Sequence, residues 1–156
     1  MNSSVNILVG LVVLVWLLSR QVQKRLVQQD RKPAVLLILL VLGALQLTTL
    51  FKDSRPDATV IVLVVVSLAI AAGFGVVRAY TVKLWRADGQ LWRQGTWVTL
   101  VLWIAAIGIH FGMDFVIDGA SGTKGIGSAS ILLYLAVSLG AQRLVVQSRA
   151  SRLIRA

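Results

Sequence analysis

Long apolar runs interrupted by short basic segments are the feature that most limits what this chain can fold into. A helix needs roughly 20 apolar residues to cross a hydrocarbon core of about 30 Å. Several segments approach or meet this length, and we predict a transmembrane helix in each of them. The five predicted spans are about 5–19, 34–51, 58–77, 97–117 and 126–146. The sequence therefore predicts an all-α integral membrane protein with a single membrane domain over residues 1–156.

The first predicted span has a second interpretation, as the apolar part of a signal peptide. Such a peptide starts with basic residues and ends at a cleavage site of small residues. Met1–Ser4 contain no Lys or Arg, and no small-x-small site precedes the basic residues after Trp16. We therefore expect a retained span. We also expect its helix to continue beyond Arg20, with Val22 and Leu26 on one face.

The basic residues alternate between the segments that join the spans. Segments rich in Lys and Arg resist translocation and stay in the cytoplasm. The segments after the first, third and fifth spans are basic, which predicts an N-terminus outside and a C-terminus in the cytoplasm. Their basic residues are Arg20, Lys24, Arg25, Arg31 and Lys32, then Arg78, Lys83, Arg86 and Arg93, then Arg143, Arg149, Arg152 and Arg155.

The net charge of +10 has two explanations, nucleic acid or a membrane surface. Nucleic-acid binding needs a basic face on a water-soluble module, whereas this chain is 57% hydrophobic and its polar stretches are short loops. We expect the partner to be a lipid bilayer with anionic headgroups and expect no nucleic acid. The sequence has no cysteine, which excludes disulfides, thiolate metal sites and cysteine nucleophiles.

The loop between the third and fourth spans contains Asp88-Gly89, flanked by alternating apolar and basic residues. This pair favours a two-residue turn, so we predict a short β-hairpin with arms near 81–86 and 90–94. A helix that continues into an irregular loop is the alternative. We predict that the hairpin forms a cytoplasmic interface or lipid contact through Lys83, Trp85, Arg86, Asp88, Gly89, Trp92 and Arg93.

Two stretches of the sequence together form a pattern. The first is Tyr80 followed by Trp85-Arg86-x-Asp88-Gly89-x-x-Trp92-Arg93-x-Gly95-Thr96-Trp97, and the second, in the fourth span, is Phe111-Gly112-Met113-Asp114. The pattern resembles the CcdC-like family of bacterial multi-pass membrane proteins, over roughly the middle and last thirds of the chain. The resemblance implies a small bacterial inner-membrane protein, named for an association with cytochrome c maturation loci and without a settled activity. Because cysteine is absent, the resemblance implies no thiol–disulfide role.

His110 and Asp114 are four residues apart in the fourth span, so they project from one helical face. Ionisable groups at membrane depth often mark proton relays, and histidine titrates near neutral pH. The alternative is an interfacial pair, with Asp114 already among the headgroups. His110 is the single histidine, and Met113 lies on a neighbouring face, so we expect neither haem nor another cofactor, and no metal.

Small residues recur at four-residue spacing in the third and fourth spans, as Ala69 and Gly73 and as Gly108 and Gly112. Such spacing lets helix backbones approach closely in a membrane. We expect these two helices to pack tightly, within one chain or between two chains.

Other polar residues in or beside the spans have predicted structural roles. Five of them are expected to form hydrogen bonds between helices, and they are Gln46, Thr48 and Thr49 in the second span and Tyr134 and Ser138 in the fifth. Asp57, which follows Pro56, is expected to cap the third span.

We expect a noncatalytic accessory or interaction protein with a membrane-protein partner, because this explains the short loops and the lack of any clustered nucleophile or metal ligands. The alternative is a small proton-linked transporter or channel component that uses His110 and Asp114, as a homo-oligomer. Enzymatic activity ranks third, since no nucleophile is visible. We predict no catalytic residue.

Overall fold

A computed structural model describes residues 12, 15–16, 18–27, 33–122 and 130–155. Most of the described chain is helical, and its helices are α1 Ala34–Ser54, α2 Ala58–Thr81, α3 Trp97–Ser121 and α4 Ile131–Arg155. Three short strands form one sheet, and they are β1 Arg25–Leu26, β2 Lys83–Ala87 and β3 Gln90–Gln94. All four helices are long and apolar enough to cross a membrane. The described chain therefore has the architecture of a multi-pass membrane protein.

The four helices correspond to the second through fifth predicted spans. The first predicted span, residues 5–19, lies mostly outside the described residues, and so does the predicted start of the fifth span at 126. The last helix continues to Arg155, although the prediction ended this span at 146. Val146 and Ala150 are buried against the rest of the protein, so packing extends the helix beyond its apolar run.

The predicted continuation of the first helix to Leu26 is wrong. Helical residues extend over 18–22, and Arg25 and Leu26 then pair with Arg93 and Trp92 of β3. The backbone N–H of Gly95 also donates to the Gln21 carbonyl at 2.9 Å. The edge of β3 has backbone donors and acceptors that need hydrogen-bond partners, and the segment 21–26 provides those partners.

A tight turn at Asp88-Gly89 joins β2 and β3. These two residues have φ values of 53° and 72°, which are the left-handed angles that such a turn requires. The strands are antiparallel, with Trp85 directly opposite Trp92, and β3 lies between β1 and β2. The sheet therefore places two indole rings side by side at one end of the helical bundle.

The bundle is held together by close contacts between α2 and α4, α1 and α4, and α2 and α3. Two glycines permit the closest approaches. A side chain at Gly75 would overlap the Ser138 carbonyl oxygen, and a Cβ at Gly43 would lie 2.5 Å from the Leu133 nitrogen. Backbone packing of this kind is typical of membrane helices.

The described bundle has apolar side chains outside and several polar side chains inside. Phe115, Leu37 and Ile104 are among many exposed large apolar residues, whereas His110 and Arg78 are buried. A water-soluble helical bundle has the opposite arrangement. The distribution fits a protein whose outer surface meets lipid.

Candidate functional site

Helices α2, α3 and α4 enclose a line of polar side chains that we call the buried polar seam. It consists of Arg78 from α2, of Trp103, His110 and Asp114 from α3, and of Tyr134, Ser138 and Gln142 from α4. Except for the half-buried Asp114, these residues are buried. Polar groups enclosed in a membrane bundle are costly to desolvate and therefore often serve a function.

The predicted His110–Asp114 pair lies at one end of this seam. The His110 side chain is 1% exposed, and its Nε2 lies 3.4 Å from Oδ1 of Asp114, whose side chain is 13% exposed. The two atoms are within ion-pair distance, yet they are not aligned for a hydrogen bond, and both ring nitrogens of His110 lack a hydrogen-bond partner among the described residues. The imidazole is therefore enclosed by protein, with the Asp114 carboxylate beside it and with both ring nitrogens unpartnered among the described residues.

Tyr134 connects this pair to the middle of the bundle. Its hydroxyl donates to the Ala106 carbonyl oxygen at 2.9 Å, and its ring centroid lies 4.5 Å from that of His110. The contact joins α4 to α3 one turn before the imidazole. The prediction that Tyr134 bonds between helices is confirmed.

Arg78 lies at the other end of the seam. Its guanidinium carbon lies 3.9 Å from the centroid of the Trp103 ring, and Nη2 donates to Ser138 Oγ at 2.5 Å. Ser138, which the sequence also predicts to bond between helices, thus does so. The seam therefore extends from the ionisable pair on α3 to a buried cation in the last turn of α2. The prediction of bonds between helices is wrong for Thr48 and Thr49, whose hydroxyls donate to the Leu45 carbonyl oxygen of their own helix at 2.9 Å.

Sequence reasoning counted Arg78 among the cytoplasmic loop charges and missed its burial. The positive-inside rule counts charges beside a span without locating them on the helix. A signal was present, because Ala71, Gly75 and Arg78 recur at helical spacing and form the face of α2 that is buried in the bundle. The small residues on that face bring α4 close and enclose the arginine.

Three threonine hydroxyls form hydrogen bonds between the end of α2 and the start of α3, beside the hairpin. Thr99 Oγ1 lies 2.8 Å from Thr81 Oγ1 and accepts from the Thr96 backbone N–H at 3.0 Å. Thr96 Oγ1 lies 3.0 Å from the Thr81 carbonyl oxygen and caps α3. These bonds hold the end of α2 against the start of α3, so the sheet between them has a defined position on the bundle.

The predicted interface residues lie on the sheet as follows. Lys83, Arg86, Asp88 and Gly89 are exposed, whereas Trp85, Trp92 and Arg93 are half-buried. Beside them, an open cleft of about 370 Å³ lies between the sheet and the end of α4, with Arg86, Leu91, Ala150 and Ile154 in its lining. The hairpin thus presents basic side chains next to an apolar cleft.

The predicted packing residues Ala69, Gly73, Gly108 and Gly112 are exposed on the outer surface of the bundle. An added Cβ at any of the three glycines would meet nothing within 4 Å. They do not bring α2 and α3 together within the chain. Packing between two chains stays a prediction for them.

Among the residues that the structure describes, no group of three His, Cys, Asp or Glu side chains could hold a metal ion. The chain matches no family model, no curated protein and no solved structure.

Proposed function

We propose that this chain is a small proton-linked transporter or channel component, in which His110 and Asp114 exchange a proton inside the bundle. The observation that carries the proposal is the burial of the His110 imidazole 3.4 Å from the Asp114 carboxylate. A histidine beside a carboxylate can accept a proton without leaving an unpaired charge in the bundle. The half-buried Asp114 provides the contact of the pair with the outside of the bundle.

The proposal includes a location in a bacterial inner membrane, with the N-terminus outside and the C-terminus in the cytoplasm. This orientation is supported by contacts that bring the three basic segments to one end of the bundle. The first and second segments meet where β1 pairs with β3. The second and third segments meet where Arg149 of α4 donates to the carbonyl oxygens of Ala79 and Val82. The resemblance to the CcdC-like family, on residues 80–97 and 111–114, belongs to the same proposal.

The test exploits the fact that His110 is the single histidine of the chain. Protein labelled with ¹⁵N-histidine and reconstituted in lipid bilayers gives one imidazole, whose NMR signals can be followed between about pH 5 and 9. We expect the imidazole to titrate, and we expect Asp114→Asn to change the midpoint. Asp53→Asn removes an exposed carboxylate and is the matched control that leaves the midpoint unchanged.

A flux measurement then tests transport itself. Proteoliposomes with an internal pH dye receive a pH gradient and a potassium diffusion potential. We expect His110→Gln and Asp114→Asn to reduce proton entry by at least about tenfold, since each removes a group required for general acid–base exchange. An imidazole that does not titrate, or equal proton entry in wild type and His110→Gln, would refute the proposal.

The exposed hairpin favours a second candidate function, that of an accessory protein that binds a membrane-protein partner. Lys83 and Arg86 are exposed on β2, and Arg86 borders the open cleft beside α4. A partner with an acidic, partly apolar cytoplasmic segment would complement this surface.

Quantitative copurification from native membranes tests this accessory function. We expect Lys83→Gln with Arg86→Gln to lose a specific partner that is retained by a variant with Arg152→Gln and Arg155→Gln, whose substitutions lie at the exposed end of α4.

A further inference from the structure

Arg78 is a cation that the fold encloses completely. Its side chain has 0% exposure, although it lies only one turn from the end of α2. An arginine at such a position usually reaches out to water or to the headgroups. Here Gly75 allows α4 to approach and Ser138 faces the guanidinium, so the side chain is directed into the bundle. A buried cation is costly unless it is compensated.

The protein compensates this charge only in part. The Trp103 ring faces the guanidinium, and Ser138 Oγ accepts one hydrogen bond from it. The guanidinium Nε and Nη1 are buried and have no hydrogen-bond partner in the described part of the chain. These two donors lie on opposite edges of the planar guanidinium, so either edge offers an unpartnered buried N–H to an anion.

No carboxylate supplies the missing negative charge among the residues that the structure describes. The chain has six acidic residues, all aspartates, of which Asp30 lies outside the described residues. The other five lie in the last turn of α1, at the N-cap of α2, in the hairpin turn, or on the last turns of α3. None of these five forms an ion pair with Arg78.

The neighbouring side chains add donors to the same enclosure. The indole Nε1 of Trp103 is buried without an acceptor in the residues described by the structure. Gln142, one helical turn beyond Ser138, is also buried, with an amide oxygen that no described donor reaches. The enclosure therefore has a net positive charge and more unused donors than acceptors, which selects for an anion over a cation.

We propose that Arg78, stacked on Trp103 and bonded to Ser138, binds a small dissolved monovalent anion between α2, α3 and α4. One guanidinium balances one negative charge, so we infer a monovalent ion, and the 0% exposure of Arg78 favours a small ion over a large one. The basic segments at the same end of the bundle raise the local concentration of anions. The site goes beyond the proposed proton exchange and stands without it.

Trp103 provides a direct probe, because iodide quenches indole fluorescence and would bind beside this ring. The chain has five tryptophans, so the test uses a variant in which Trp16, Trp85, Trp92 and Trp97 are replaced by Phe. We expect saturable quenching by iodide, with competition by chloride. Adding Arg78→Gln should weaken the binding by at least about tenfold, since a charged hydrogen-bonding group is lost. Adding Arg55→Gln, which removes an exposed charge of the same kind near the opposite end of α2, should leave the binding unchanged.

Thermal unfolding of the wild-type protein is the second measurement and requires no substitution. It compares chloride with gluconate at constant ionic strength, in a neutral detergent free of phospholipid. We expect a saturable rise of the melting temperature in chloride, as for any ligand that binds only the folded state. The proposal is overturned by equal melting temperatures together with quenching that rises linearly with iodide. The comparison is then repeated with added anionic phospholipid. The proposal is equally overturned if only the phospholipid raises the melting temperature, since the occupant would then be a headgroup.

Discussion

The Tyr134 hydroxyl donates to the Ala106 carbonyl oxygen, and this bond holds the phenol ring against the His110 imidazole, with 4.5 Å between ring centroids. The bond fixes α4 on α3 beside the proposed proton-exchange pair. It therefore couples the packing of two helices to the environment of one ionisable side chain.

Replacing Tyr134 by Phe removes this hydrogen bond and keeps the ring. We expect the free energy of unfolding to fall by about 1 kcal/mol, the usual loss for a single hydrogen bond. We also expect the His110 NMR signals to shift. Unfolding is measured by titration with a denaturing detergent in mixed micelles. Tyr80→Phe is the control, because Tyr80 is the other tyrosine of the chain and is exposed.

Alanine substitutions at two glycines on different faces of α2 should have different effects on the free energy of unfolding. At Gly75 a Cβ would overlap the Ser138 carbonyl oxygen, and we expect Gly75→Ala to lower the free energy of unfolding by about 1–3 kcal/mol through overpacking. At Gly73 nothing lies within 4 Å, and alanine favours a helix over glycine by about 1 kcal/mol. Gly73→Ala should therefore be neutral or stabilising in the monomer. A dimer that dissociates in Gly73→Ala would instead show that this face contacts a second copy.

Arg149 is expected to hold the end of α4 onto the end of α2. Its Nη1 donates to the carbonyl oxygens of Ala79 and Val82, which are among the last acceptors of α2 and its junction with β2. Arg149→Met should lower the free energy of unfolding by about 2 kcal/mol, because hydrogen bonds from a charged group are lost. Arg152→Met, on the exposed side of the same helix, should change it by less than about 0.5 kcal/mol. Equal effects in detergent titration would contradict this assignment.

Asp57 is expected to stabilise the first turn of α2. Its side chain accepts from the Val60 backbone N–H at 3.1 Å, as the sequence predicts for this N-cap. Asp57→Ala should lower the free energy of unfolding by about 1 kcal/mol. Asp53 lies exposed in the last turn of α1, where a negative charge opposes the helix dipole, so Asp53→Ala should have no effect or a slightly stabilising one. A loss in both variants would mean that net charge, and not the cap, is responsible.

Several parts of the structure follow from short stretches of sequence. The four described helices occupy predicted spans because each apolar run is long enough to require a membrane. The Asp57 cap and the left-handed turn at Asp88-Gly89 depend on a few neighbouring residues. The four-residue spacing of His110 and Asp114 placed both on one face without any knowledge of the other helices.

Other features depend on which segments meet in space. The choice between Gly73 and Gly75 as the close-packing residue depends on where α4 lies, because both glycines belong to the same small-residue run of α2. The choice of strand over helix at Arg25-Leu26 depends on the free edge of β3, which lies more than sixty residues away in the chain. No local pattern contains this information.

By itself, the sequence determined the apolar spans, the alternation of charge and the local caps and turns, since these depend on the length of each run and on neighbouring residues. Only the tertiary structure decided that Arg78 is buried on Trp103 instead of lying in a basic loop, and that His110 is enclosed beside Tyr134. The physical reason is that hydropathy is a sum over one segment, whereas the burial of a polar group depends on the helices that pack against it.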